Sequence, residues 1–175
     1  MASFVDRMVG AAKLNAATYE EVEADLGATG QALVVVFLSA LAIIVGNLGT
    51  GQMNIFASFL GGLLGWGTWI LLVWIVGVKL LPEPATKSNP GELIRTTGFA
   101  ATPGLFRVFG VIPLLGWLVV IVAWLWTLAA MVVAVRQALD YQSTARAIAV
   151  CVIGFIGQLG VLYLEWWLLR TAMSV

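Results

Sequence analysis

The sequence predicts an all-α polytopic bundle of membrane-spanning helices, and two observations carry that prediction. Residues 32–48, 55–78, 114–135 and 147–164 are near-continuous runs of Ala, Val, Leu, Ile, Phe, Trp and Gly. At roughly 1.5 Å of helical rise per residue, each crosses or nearly crosses a hydrocarbon core about 30 Å thick. In addition, 61% of the 175 residues are hydrophobic and only 10% charged, against roughly 25% charged in an ordinary soluble domain. A soluble chain of this length has no interior large enough to hide that much apolar surface.

Taken in order, residues 3–14 place Phe4, Val5, Met8, Val9 and Ala12 at helical spacing, with Asp6, Arg7 and Lys13 elsewhere. That pattern predicts a short amphipathic helix lying in the headgroup region, or packed on the bundle. Asn15 then begins a second short helix, because its side chain can accept orphan backbone N–H groups and Glu20, Glu21, Glu23 and Asp25 follow as a solvated acidic face. These carboxylates precede the first long apolar run, so the opening segment reads as part of the working protein and not as a cleaved signal. Residues 1–30 are therefore a cytoplasmic helical segment and residues 31–175 the transmembrane part.

The second apolar run ends at Lys79 and the loop Leu-Pro-Glu-Pro-Ala-Thr-Lys-Ser-Asn-Pro of residues 81–90. Its prolines remove backbone donors and exclude continued helix, which makes it the main polar loop. Residues 91–112 carry Pro103-Gly104 at their centre and read as a kinked crossing, a re-entrant hairpin or an interfacial pair. Charge favours the crossing. Loop 49–54 holds no Lys or Arg, whereas 79–95 holds Lys79, Lys87 and Arg95 and 136–146 holds Arg136 and Arg146. Basic loops share the cytoplasmic side only if 91–112 crosses. The expected spans are 32–48, 55–78, 91–112, 114–135 and 147–169, five in all, or four plus a broken re-entrant pair. The N-terminus is then cytoplasmic.

Several stretches carry a family resemblance: Ala-Thr-Tyr-Glu-Glu-Val-Glu-Ala-Asp at 17–25, Gly-Glu-Leu-Ile-Arg-Thr-Thr-Gly-Phe-Ala at 91–100, and Ala-Val-Arg-Gln-Ala-Leu-Asp-Tyr at 134–141 leading into Thr-Ala-Arg-Ala-Ile-Ala-Val at 144–150. The chain resembles the bacterial branch of the Yip domain family, named for Ypt-interacting proteins. That resemblance implies a compact integral membrane protein of about five crossings. In eukaryotes the family includes trafficking factors that bind prenylated Rab-type GTPases. The Asp-Leu-Tyr-Gly-Pro signature expected there is not found in this sequence, so architecture is carried over and Rab partnership is not.

Chemistry is restricted by what the chain lacks. Without histidine, imidazole ligation of haem, zinc or chlorophyll-type magnesium and His-based triads are excluded. No concentrated basic face suggests nucleic acid, since nine basic and nine acidic residues balance. The single Cys151 has no pairing partner in the chain and reads as a small buried apolar residue. No catalytic residue, cofactor or metal is therefore expected.

Charge inside lipid is costly, about 2.5–3.5 kcal/mol per residue on insertion scales. Arg95, Arg107, Arg136, Asp140 and Arg146 are accordingly candidates for a polar or lipid-headgroup site. Arg107, close to the Pro103-Gly104 break, faces either a polar cavity or a lipid phosphate, or else snorkels along an interfacial helix. Arg136 and Asp140 sit at i and i+4, a spacing for a helix-face pair that fixes the following turn. Glu165 and Arg170 lie near the far boundary of the last run.

Gly61 and Gly65, and Gly154, Gly157 and Gly160, remove side-chain bulk from helix faces and allow close helix packing, internal or between subunits. Of eight tryptophans, Trp66, Trp69, Trp124 and Trp126 fall near mid-depth and are candidates to contact a flat apolar ligand or a neighbouring protein, or simply to pack. The leading functional expectation is a non-enzymatic scaffold or assembly factor with membrane lipids and other membrane proteins, or itself, as partners. An accessory subunit of a larger energy-transducing complex and a small-solute transporter or channel are the alternatives.

Overall fold

In the computed structural model, which describes residues 2–48 and 55–172, the chain is helical throughout its regular parts. Two short helices open it: α1 (Phe4–Ala12) and α2 (Ala16–Ala24). Ser3 and Asp6 cap α1 reciprocally, and the Asn15 side chain accepts from the Ala17 N–H at 3.1 Å, as its position before the acidic run predicts. Leu14, at φ 59°, closes α1, with the Asn15 N–H returning to the Gly10 carbonyl at 3.0 Å.

Four further helices are long and apolar enough to cross a membrane: α3 (Ala28–Gly46), α4 (Ile55–Ile75, prolonged by a π-helical turn Val76–Leu80), α6 (Gly116–Ala138) and α7 (Thr144–Ala172). Between them, α5 (Pro90–Ala100) has Pro90 in its first turn and a capping box from Asn89 and Glu92. It gives way to a 3-10 helix, Thr102–Val111. Loop 49–54, expected to be a charge-free outer turn, lies outside the described residues, as do the last three residues and the side chain of Glu165.

The 3-10 segment is what the Pro103-Gly104 break becomes. Proline removes the N–H that an α-helix needs, and the chain rewinds to the tighter form. Its small residues mark its course. A Cβ on Gly98 would meet Ala32, one on Gly104 would meet Ser39, and Gly110 lies against Gly46. Segment 98–110 thus runs parallel to α3 from end to end and antiparallel to α6, where Gly110 abuts Gly116 and Val120. With rises of roughly 1.5 and 2.0 Å per residue, the 11 residues of α5 and the 10 of the 3-10 helix supply about 36 Å along their axes.

The elements separate into two packing units. α3, α5 with its 3-10 continuation, and α6 interlock through glycines and alanines, and α1 and α2 lie on them. α4 and α7 pair with each other, with Gly154 against Val73 and Trp69 and Gly157 against Leu72. In the most apolar stretch of α3, 39% of residues are buried inside the protein, against 17% for α4 and for α7. One buried cluster joins α1, α2, α3, α5 and α6 around Tyr19, Val35 and Phe99; a second joins α4, α5, α6 and α7 around Val73, Leu93, Leu139 and Val150.

The amphipathic stripe expected of the first helix is divided. Phe4 and Met8 pack inward, Phe4 edge-on to Phe99, while Val5 and Val9 face out. Arg7, expected off the apolar face, is 2% exposed.

Candidate functional site

Polar side chains gather at the end of the bundle where α1, α2, loop 81–89 and the turn 139–143 meet. Arg7 donates to Gln31 Oε1 at 3.0 Å, Glu21 Oε1 at 3.0 Å and Asp25 Oδ2 at 2.7 Å, binding α1 to α2 and to the start of α3. Hydrogen bonds from the Ala2 N–H and from Arg7 hold Glu21 below the usual carboxylate range, and those from Arg7 and the Gly27 N–H do the same for Asp25, with the positive charge of Arg7 adding to both. Nothing in local sequence pattern announces this cage, because its members are 14 to 24 residues apart.

The candidates of the sequence divide between this end and the opposite one. Arg95 is buried, and its guanidinium donates to the carbonyls of Val22 and Glu23, closing the C-terminus of α2. Arg136 donates to the carbonyls of Tyr141 and Gln142 at 3.1 and 3.2 Å. It does not pair with Asp140 on a helix face. α6 ends at Ala138 and Asp140 adopts φ 53°, with the Tyr141 N–H returning to the Arg136 carbonyl at 2.9 Å, so Asp140 has left the helix before the i, i+4 geometry can form. Arg146 donates to the Pro82 carbonyl and pairs with Glu83 at 3.6 Å, while Glu83 also accepts from the N–H groups of Gln142 and Ser143. Tyr141 places its hydroxyl 2.9 and 2.7 Å from the carbonyls of Gly77 and Leu81, where the π-helical turn leaves acceptors free. The basic loops 79–95 and 136–146 therefore lie together.

Glu23 is the electrostatic exception. Burial, reinforced by Asp140, Glu92 and Glu20 and opposed by Arg95, pushes its carboxyl up to about 7.

Arg107 stands apart from the other four, near the far end of the 3-10 segment. It lines a cavity of about 570 Å³ between α4, α6 and α7, and a second of about 240 Å³ beside Gly46 and Val120. Trp66, Trp69 and Trp124 wall the larger cavity, and Trp124 also borders the smaller. Trp126, expected with them, does not line it: its ring stacks on Phe106 and its Nε1 donates to the Ala12 carbonyl at 2.7 Å, which clamps α1 to the bundle. Three polar atoms in the cavity's walls are buried without a hydrogen-bond partner among the described residues: Arg107 Nε, Trp66 Nε1 and Gln158 Oε1. Gln158 was missed in the sequence, although a glutamine inside an apolar run is itself a signal.

The candidate glycines also separate. Gly154 and Gly157 are closed by α4, whereas among the described residues a Cβ on Gly61 or Gly160 would meet nothing within 4 Å, and one on Gly65 only Gln158 at 3.7 Å. At the far boundary, Arg170 lies over the Trp166 ring at 5.3 Å. Among the described residues, no group of three or more Cys, Asp or Glu side chains is arranged to hold a metal ion.

No curated protein and no solved structure matches the chain. The family model described as the Yip1 domain matches residues 15–164, from the cap of α2 almost to the end of α7, and the apolar helices fit its membrane character. The chain belongs to the Yip1 domain family.

Proposed function

We propose that this Yip1-domain protein is a non-enzymatic scaffold that organises lipids or partner membrane proteins, and that its membrane is the bacterial cytoplasmic one. The observation that carries this reading is the open glycine face of the α4–α7 pair. Gly61, Gly62 and Gly160 leave the backbone accessible to another helix, beside exposed Leu64, Phe155 and Ile156. Arg7, Lys79, Lys87, Arg95, Arg136 and Arg146 belong to the end that carries α1, α2 and the two polar loops, which supports a cytoplasmic N-terminus. In this topology α5 and its 3-10 continuation make the third of five crossings.

Two measurements test the reading. In a Cys151→Ser background, Ser88→Cys should label only from the cytoplasmic side and Leu114→Cys only from the outside; labelling of both from one side removes the third crossing and leaves four. Cross-linking in intact membranes should yield specific adducts through α4 and α7 that Gly61→Leu and Gly160→Leu abolish. Solute flux by the purified protein in vesicles, without such adducts, would replace the scaffold with a transporter.

A further inference from the structure

We infer that the cavity between α4, α6 and α7 is a binding site for an anionic phospholipid, with the phosphate at Arg107 and an acyl chain along the indole-lined wall. Every element of the cavity fits such an amphiphile. Its lining is overwhelmingly apolar, from Gln158 and Gly65 near one end to Ile148 and Cys151 near the other. The ten-residue separation of Ile148 and Gln158 on α7 corresponds to about 15 Å of helix, a length that accommodates much of an acyl chain. Leu128, Ile148, Val152 and Phe155 are lining residues that are also exposed. The cavity therefore opens sideways to lipid, and a chain enters without crossing the headgroup plane.

The polar end of the cavity selects the head. Arg107 is a cation whose Nε has no partner among the described residues, and none of the described residues lining the two cavities that it borders is a carboxylate. Arg107 is partly buried; a partly desolvated cation without a counter-charge is unfavourable, and an anion brought by the ligand removes the penalty. Trp66 Nε1 supplies a second unused donor and Gln158 Oε1 an unused acceptor. Phosphate oxygens satisfy the two donors, and a hydroxyl on the head satisfies the acceptor, a combination that phosphatidylglycerol provides and phosphatidylcholine does not. A neutral flat ring such as a quinone would fill the indole walls and leave the arginine uncompensated.

The test uses the full chain reconstituted in phosphatidylcholine vesicles that contain a minor fraction of lipid brominated on its acyl chains, which quenches nearby indoles. Brominated phosphatidylglycerol should quench tryptophan fluorescence more strongly than the same fraction of brominated phosphatidylcholine, with a relative affinity of roughly tenfold, equivalent to about 1.4 kcal/mol. Arg107→Leu should abolish the preference and Arg107→Lys retain part of it. Val152→Trp, which narrows the chain slot and leaves the arginine in place, should lose it too, with the thermal melt in detergent reporting that each variant is folded. Equal quenching by the two lipids in the unaltered protein, or an undiminished preference in a folded Arg107→Leu variant, would overturn the site. This inference specifies the lipid half of the scaffold reading. Specific α4–α7 cross-links without a phosphatidylglycerol preference retire the site and leave the scaffold standing, and the reverse result does the opposite.

Discussion

At the end of the bundle that carries α1 and α2, Arg7, Arg95, Arg136 and Arg146 are each tied to a carbonyl or carboxylate of another segment. Toward the opposite end, Arg107 borders two cavities with its Nε unpaired. The same side chain has opposite uses in these two settings. Where water and loop backbone are close, a guanidinium finds acceptors and works as a brace, between distant segments for Arg7, Arg95 and Arg146 and across the adjoining turn for Arg136. Between apolar helices it finds none, and its charge remains available to something outside the chain. The packing follows the same division: α3, the 3-10 segment and α6 meet backbone to backbone, whereas α4 and α7 stand partly away from α6 and leave the larger cavity.

The contrast can be broken most severely at the close-packed unit. A Cβ at Gly46 would meet the Arg107 carbonyl, and one at Gly116 the Gly110 carbonyl, backbone atoms that cannot swing aside. Gly46→Leu and Gly116→Leu should each cost about 3 kcal/mol or more and abolish a monodisperse peak in detergent size exclusion. An intact, monodisperse Gly46→Leu protein would show that the three-element unit is looser than described.

The next effect belongs to the polar brace. Arg7→Met leaves Glu21 and Asp25 without their cation, and should lower the thermal midpoint by about 5 °C or more. Because both carboxylates are held below their ordinary range in the folded protein, their contribution is present above the unfolded pKa and lost as pH falls through the folded one. The loss of stability on acidification should therefore be shallower in Arg7→Met than in the unaltered chain.

Glu23 gives a smaller effect of opposite sign. Its carboxyl, raised to about 7 from the ordinary 4.5, makes the folded state bind more protons than the unfolded one between those values. Stability from this group consequently falls as pH rises through that interval. Glu23→Gln should flatten the thermal midpoint between about pH 4 and pH 8, a window spanning those two values, and leave the variant the more stable of the two at the upper limit. An unchanged profile would mean that water reaches the carboxylate.

The smallest effect is expected at the open face. Gly61→Leu and Gly160→Leu meet open space and should change the thermal midpoint of the purified monomer by no more than about 1–2 °C, although they are expected to remove cross-linked partners. A large loss of stability in the isolated protein would place another element of the same chain against that face.

Much of the fold was legible in the sequence because the signals are local. An apolar run is recognised by its own residues, and the Asn15 cap, the proline-rich loop and the break at Pro103-Gly104 each act within a few positions. The helix bounds moved by a few residues, as at α7, which starts at Thr144 where Ser143 accepts the Arg146 N–H. What could not be read was any arrangement made by segments far apart. Arg7 looked like a solvated residue because its three partners lie on other elements, and Arg95, Arg136 and Arg146 looked like a headgroup cluster because their carbonyl acceptors carry no mark in sequence.

The sequence by itself determined that this chain is an all-α membrane protein of the Yip1 family without imidazole chemistry, since burial in lipid is a property of composition and length. Only the tertiary structure decided that 102–111 is a 3-10 helix clasped by α3 and α6, that Trp126 serves α1, and that Trp66, Trp124, Gln158 and Arg107 share a cavity. Those outcomes depend on which backbones can approach closely and which polar atoms are left without partners, and both are set by contacts across the bundle.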